Sequence, residues 1–178
     1  LCAYSGARVN EITQARAADV HQSPSYDGTE LIWVIKITPE AGTVKDDEER
    51  EVALHPHLVE QGFLEYVKSR KGKHLFYDPA RSRSGSPANP QYAKVGQRLA
   101  AWVREDVGIT DKRIAPSHAW RHLFRSQLLK AGVQEQVING IDGHAPQTVG
   151  QQYGRVWPEV SLDAVSRIPP YRFEEDRQ

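Results

Sequence analysis

No uninterrupted apolar run in this 178-residue chain exceeds five residues, the length of the run from Leu31 to Ile35. A bilayer-spanning helix needs about 20 consecutive apolar residues, so none can be built from this sequence. Its core must be assembled from short pieces. The run continues as Leu31-Ile32-Trp33-Val34-Ile35-Lys36-Ile37, and this β-branched composition reads as a strand. Glu51-Val52-Ala53-Leu54 reads as a second strand, with Gly42 and a charged stretch forming a long hairpin tip between them. Asp27-Gly28 marks a turn ahead of the first strand.

Elsewhere the apolar spacing is helical. Val9 and Ile12 predict a helix from about residue 8 to 17, and Leu58, Phe63, Leu64 and Val67 predict one that ends before Gly72. His74-Leu75-Phe76 reads as a brief third strand, and residues 78–90, with three Pro, one Gly and three Ser, as a loop. Tyr92, Val95, Leu99, Trp102, Val103 and Val107 form one helical stripe. Pro116-Ser117 starts the next helix, over 118–131, and others follow at 134–141, at 146–153 and beyond Pro158. The expected class is α+β, predominantly α-helical with a small antiparallel sheet near the N-terminus. With 39% apolar and 26% charged residues, the chain reads as one soluble globular domain. The single Cys2 cannot form an intrachain disulfide and no signal-peptide layout is present, so a reducing, cytoplasmic setting is expected. The start inside a helix-like phrase without an initiator Met suggests a fragment of a longer protein.

Charge is balanced, 23 Lys+Arg against 23 Asp+Glu, but segregated. From Lys68 to Arg83 there are six basic residues and one acid, and from Lys45 to Glu51 five acids and two bases. The basic stretch is either an electrostatic contact surface or a solvated helix end and loop.

The helix from His118 carries the clearest chemical pattern. His118, Arg121, His122 and Arg125 fall within an arc of about 100°, while Trp120, Leu123, Phe124 and Ala131 fall opposite and are expected to anchor the helix. Four nitrogen-rich side chains on one face repel one another, and an anion relieves that repulsion. A solvated basic face is the alternative. His118 and His122 have the spacing of a helical metal pair, but Ala119 stands where a zinc peptidase needs its Glu. Gly143-His144-Ala145-Pro146 supplies a further imidazole, and nine residues after His144 comes Tyr153, amid Gln151, Gln152, Gly154 and Arg155. Cations favour a phenolate, so such a tyrosine can act as a nucleophile.

Three blocks taken together resemble the catalytic domain of the tyrosine recombinase (phage integrase) family. Ser5-Gly6-Ala7-Arg8-Val9-Asn10-Glu11-Ile12 is similar to its first-arginine motif, His118-Ala119-Trp120-Arg121-His122 to its H-x-x-R motif, and Asp142-Gly143-His144 with Tyr153 to its Gly-His box and nucleophile. Asp142 departs from the apolar residue usual there, leaving a carboxylate either beside the site or in solvent. The resemblance implies a catalytic domain over 1–168, a tail over 169–178, and a core-binding domain missing from the N-terminal side. It implies DNA strand transfer without metal or nucleotide cofactor, through a 3′-phosphotyrosyl bond to Tyr153. Arg8, Arg121 and His144 would hold the phosphate, His118 would act as general base, and a hairpin lysine would protonate the leaving 5′-oxygen. Lys45, in the hairpin tip, is preferred to Lys36, in the strand. Lys73, Arg81, Arg83 and Lys94 are expected DNA contacts. The partner would be double-stranded DNA, bound by a homotetramer of the full-length protein, the isolated fragment being monomeric and free of membranes. A non-catalytic DNA-binding remnant and a type IB topoisomerase-like strand transferase are the alternatives.

Overall fold

A computed structural model describes residues 1–42, 49–81, 90–144 and 156–172, with only the backbone of Arg81. Strands β1 (Val20–Pro24), β2 (Leu31–Ile37) and β3 (Arg50–Ala53) form an antiparallel sheet in the order β1-β2-β3. The register pairs Val20 with Ile35, Val34 with Ala53 and Ile37 with Arg50. Successive residues of a strand point to opposite faces. Val34 and Ile35 are both buried, so both faces of β2 are covered. Helix α8 (Pro158–Ser166) lies against β2 and β3, where the Ala53 N–H donates to the buried Ser161 Oγ at 3.0 Å.

The mixed α+β class agrees with expectation, but several elements differ. Strand β1 was not expected: its sequence, Val-His-Gln-Ser-Pro, is mostly polar, and it forms because the Asp27-Gly28 turn folds it back onto β2. The expected helix over 8–17 shrinks to α2 (Val9–Thr13), preceded by α1 (Cys2–Ser5). It stops because the backbone turns to meet a distant segment. Leu75 N–H donates to Ala15 O, and Ala17 N–H to Lys73 O, both at 2.9 Å. Residues 74–76 therefore supply a single bridge, Arg16 to His74, and not a strand. The helix expected after Leu58 divides into α3 (Pro56–Glu60) and α4 (Phe63–Ser69) at Gly62, whose φ is 79°.

Helices α5 (Gln91–Glu105), α6 (Pro116–Lys130) and α7 (Glu135–Asp142) lie close to their expected bounds. The expected helix over 146–153 and the hairpin tip with Lys45 lie outside the described residues. Helix α5 packs on α2 across the buried Gly96, where a Cβ would sit 3.3 Å from Val9 and Asn10. Gly6, at φ 62°, lets the α1–α2 turn approach α6 so closely that a side chain there would collide with the Phe124 ring. The segment after α8 is extended but held: Tyr171 N–H donates to Tyr4 Oη at 2.8 Å, and Tyr171 Oη to Gln127 at 3.1 Å. Among the described residues no helix is long and apolar enough to cross a membrane.

Candidate active site

Arg8 sits at the N-cap of α2, where the sequence gives it an acid three residues later. Its backbone N–H donates to Glu11 Oε2 and its Nη1 to Oε1, each at 2.9 Å. Glu11 is 2% exposed and also accepts Arg50 Nη2 at 2.7 Å. Burial alone would raise the Glu11 pKa, but the Arg50 cation and the hydrogen bonds from Arg50 and Arg8 outweigh it and hold the pKa below the usual value. Glu11 is therefore a buried anion between two cations, and it orients the Arg8 side chain.

Helix α6 presents the second group. Its expected apolar anchor is corrected by the structure: Arg121, Phe124 and Leu128 are buried, whereas Trp120 and Leu123 are 42% and 39% exposed. Residues 121, 124 and 128 share one face by i, i+3, i+7 spacing. A guanidinium can join that face because backbone carbonyls, an imidazole nitrogen and a carboxylate stand beside its Nη groups. Arg121 Nη1 donates to Gly6 O at 2.9 Å and to Asp142 O, while Nη2 lies 3.3 Å from Asp142 Oδ1 and 3.2 Å from His144 Nδ1. Trp120 instead meets Tyr171 edge-on, with centroids 5.7 Å apart.

Asp142 is fully buried, so its carboxylate lies beside the candidate site and not in solvent. Arg125 Nη1 donates to its Oδ2 at 2.7 Å and to Asn139 Oδ1 at 2.9 Å. Burial lowers the Arg121 pKa, Asp142 pushes it back up, and Arg8 and Arg50 pull it down, leaving it below the ordinary arginine value. An arginine stays a cation regardless.

Two imidazoles complete the group. His144 follows Gly143, the C-cap of α7 at φ 68°, and its N–H donates to Asn139 O at 3.0 Å, so the helix end fixes its place. A guanidinium can only donate, so His144 Nδ1 must accept from Arg121. The neutral ring then carries its proton on Nε2. His118, in the first turn of α6, stands edge-on to His122 with centroids 4.6 Å apart. Partial burial, His122 and the cations Arg121 and Arg8 lower its pKa below 6.5. His118 is thus mainly neutral at pH 7.

Arg8, Asn10, Glu11, Ser117, His118 and Arg121 line one hollow of about 480 Å³. The hollow joins residues more than 100 positions apart in the chain. Lys45 and Tyr153 lie outside the described residues, as do Arg83 and the side chain of Arg81. Lys36 pairs with Glu49 at 2.9 Å. Lys73 is exposed after α4, and Lys94 is half-buried in the first turn of α5. Arg70, within the same basic stretch, caps backbone carbonyls: Nη2 donates to His74 O at 2.9 Å and Tyr77 O at 3.2 Å. Sequence reasoning missed Glu11 and Arg50 as members of the site. The Arg8-x-x-Glu11 spacing of a capping box was a usable signal for the first. Arg50 had none, because its partners lie 39, 91 and 92 positions away.

The chain matches XerD tyrosine recombinases from two Rickettsia species. It is 28% identical to that of R. prowazekii over 157 residues, covering 84% of this chain and 47% of that one. It is 26% identical to that of R. conorii, with 93% and 53% covered. A tyrosine recombinase of Pseudothermotoga lettingae is 29% identical, with 93% and 50% covered. This chain is similar to tyrosine recombinases. It spans about half the length of the curated relatives it matches. No family model matches it, and no solved structure matches it.

Proposed function

We propose that this chain is the strand-transferring catalytic domain of a tyrosine-type DNA recombinase, spanning residues 1–168. The observation that carries the reading is that Arg8, His118 and Arg121 line one hollow, with His144 hydrogen-bonded to Arg121, in a chain that matches tyrosine recombinases over most of its own length. Two guanidiniums and an imidazole N–H suit a phosphodiester, whose non-bridging oxygens gain charge as the phosphorus becomes five-coordinate. Arg8 and Arg121 bind those oxygens. His144, its Nδ1 occupied by Arg121, turns its Nε2–H outward as a third donor.

In the proposed step the Tyr153 oxygen attacks phosphorus, a phosphorus–O(Tyr) bond forms and the bond to the 5′-oxygen breaks. The phenolic proton passes to His118, whose lowered pKa keeps it an acceptor at neutral pH. Lys45 protonates the departing 5′-oxygen. The phosphotyrosyl ester conserves the bond energy, so rejoining is the same step reversed on another 5′-hydroxyl, and neither nucleotide nor metal enters the scheme. The substrate is double-stranded DNA, and the full-length protein assembles on it as a homotetramer. Lys73, Arg81, Arg83 and Lys94 contact its backbone.

A nicked suicide DNA duplex incubated with the protein in EDTA tests this reading. A denaturant-resistant protein–DNA adduct is expected. Tyr153→Phe should abolish the adduct and leave DNA affinity within about threefold, because phosphate contacts dominate affinity. No adduct from the unmodified protein would sink the proposal, and an adduct from the Phe variant would place the nucleophile elsewhere.

A further inference from the structure

We infer that Arg50 is a positioning residue for strand transfer: its guanidinium clamps the end of α7 that carries His144 to the start of α2 that carries Arg8. The inference rests on the strand-transfer reading above. Arg50 does not line the hollow, so any influence on the chemistry passes through its neighbours.

The guanidinium joins three points. Nε donates to Ile141 O at 2.9 Å and Nη2 to Asp142 O at 3.2 Å, two carbonyls that the end of a helix leaves without intrahelical partners. A cation there also complements the helix dipole. Nη2 donates to Glu11 Oε2 at 2.7 Å, the same oxygen that takes the Arg8 backbone N–H. One planar group thus sets the spacing between the α2 N-terminus and the α7 C-terminus. Asp142 O is shared with Arg121, so moving Arg50 disturbs the acceptor that holds Arg121.

The chain leaving α7 is shaped to this group. At Gly143, with φ 68°, a Cβ would lie 2.6 Å from Arg50 Cζ, so the backbone runs flat over the guanidinium immediately before His144. The base of the clamp is firm, because Arg50 opens β3 opposite Ile37 and its side chain is 12% exposed. Lysine keeps the charge but cannot reach both helix carbonyls and the carboxylate with a rigid fork.

The test compares the intact protein with Arg50→Lys by single-turnover cleavage of the suicide duplex, DNA affinity, and amide hydrogen exchange. The variant should cleave about 10–100-fold more slowly, since small misplacements of reacting groups have effects of that order. Its DNA affinity should stay within about threefold. Exchange at Gly143 and His144 should rise about tenfold or more, with the sheet amides of β1 and β2 unchanged. Wild-type cleavage and wild-type exchange at Gly143 and His144 would overturn the assignment, as would a uniform loss of protection, which marks general destabilisation. If Arg50→Lys does not fold, Arg50→Met combined with Glu11→Gln removes both buried charges together and is held to the same exchange and rate outcomes. Should the unmodified protein form no adduct, the strand-transfer reading fails by itself, and exchange at Gly143 and His144 in the variant alone decides whether Arg50 clamps the helix end.

Discussion

Helices α5 and α6 are both 15 residues long, and they invert the usual relation between pattern and burial. Helix α5 has the cleaner apolar stripe, yet Leu99 and Trp102 are 48% and 55% exposed. Helix α6 gathers two Arg and two His on one face, yet Arg121 is 4% exposed beside the wholly buried Phe124 and Leu128. Burial here followed the neighbours and not the stripe. The acceptors Gly6 O and Asp142 O stand where Arg121 needs them, with the Asp142 carboxylate 3.3 Å away, whereas α5 meets α2 through the small face at Gly96 and through Tyr92 O, which accepts from Thr13. Arg121 is held through both of its Nη groups, and on the proposed reading that fixed position suits a group that meets a phosphate.

The largest effect that could break this comparison is on Arg121. Arg121→Ala should abolish adduct formation and destabilise the fold by about 3 kcal/mol, the low end for losing one partner of a buried pair, because Arg125 still neutralises Asp142. Urea denaturation checks the second part, and a loss under about 1 kcal/mol would mean that α6 does not depend on its buried cation. Next comes His118. On the proposed reading its base form is needed, and its pKa is depressed, so the cleavage rate should start to fall on acidification only at a lower pH than an ordinary histidine would give. A rate already falling between pH 8 and 7 would assign the base elsewhere.

Smaller effects belong to α5. Substituting Lys94 and Arg98 together by Gln should flatten the salt dependence of DNA binding by up to about one log unit per lost phosphate contact, equally for all sequences. A sequence-selective loss would make these groups readers of bases. The smallest effect is on Trp102: because it is more than half exposed, Trp102→Ser should change stability by no more than about 0.5 kcal/mol. A larger loss would show that α5 is anchored through its stripe after all.

Much of the fold was legible where the signal was local. The β-branched run gave β2, Pro116 gave the start of α6, and the helix expected over 134–141 matches α7. The pattern failed where partners came from afar. Residues 74–76 look like a strand, but their one bridge partner, Arg16, comes from a segment that looked helical. Helix α2 ended early for the same reason: a hydrogen bond from Leu75 claimed the Ala15 carbonyl that another helical turn would have used.

The sequence by itself determined which groups the proposed chemistry draws on among the described residues: Arg8 and His144 at helix ends that an acid and a glycine delimit, and His118 and Arg121 in the first two turns of the helix that Pro116 opens. Only the tertiary structure decided which of them became fixed. It placed the Asp142 carboxylate between Arg121 and Arg125, laid Arg50 under Gly143, and made Glu11 a shared acceptor for Arg8 and Arg50. The reason is electrostatic. The cost of burying a charge depends on the donors and acceptors around it, and at Arg121 those are backbone and carboxylate oxygens 21 and 115 residues away, which no local spacing encodes.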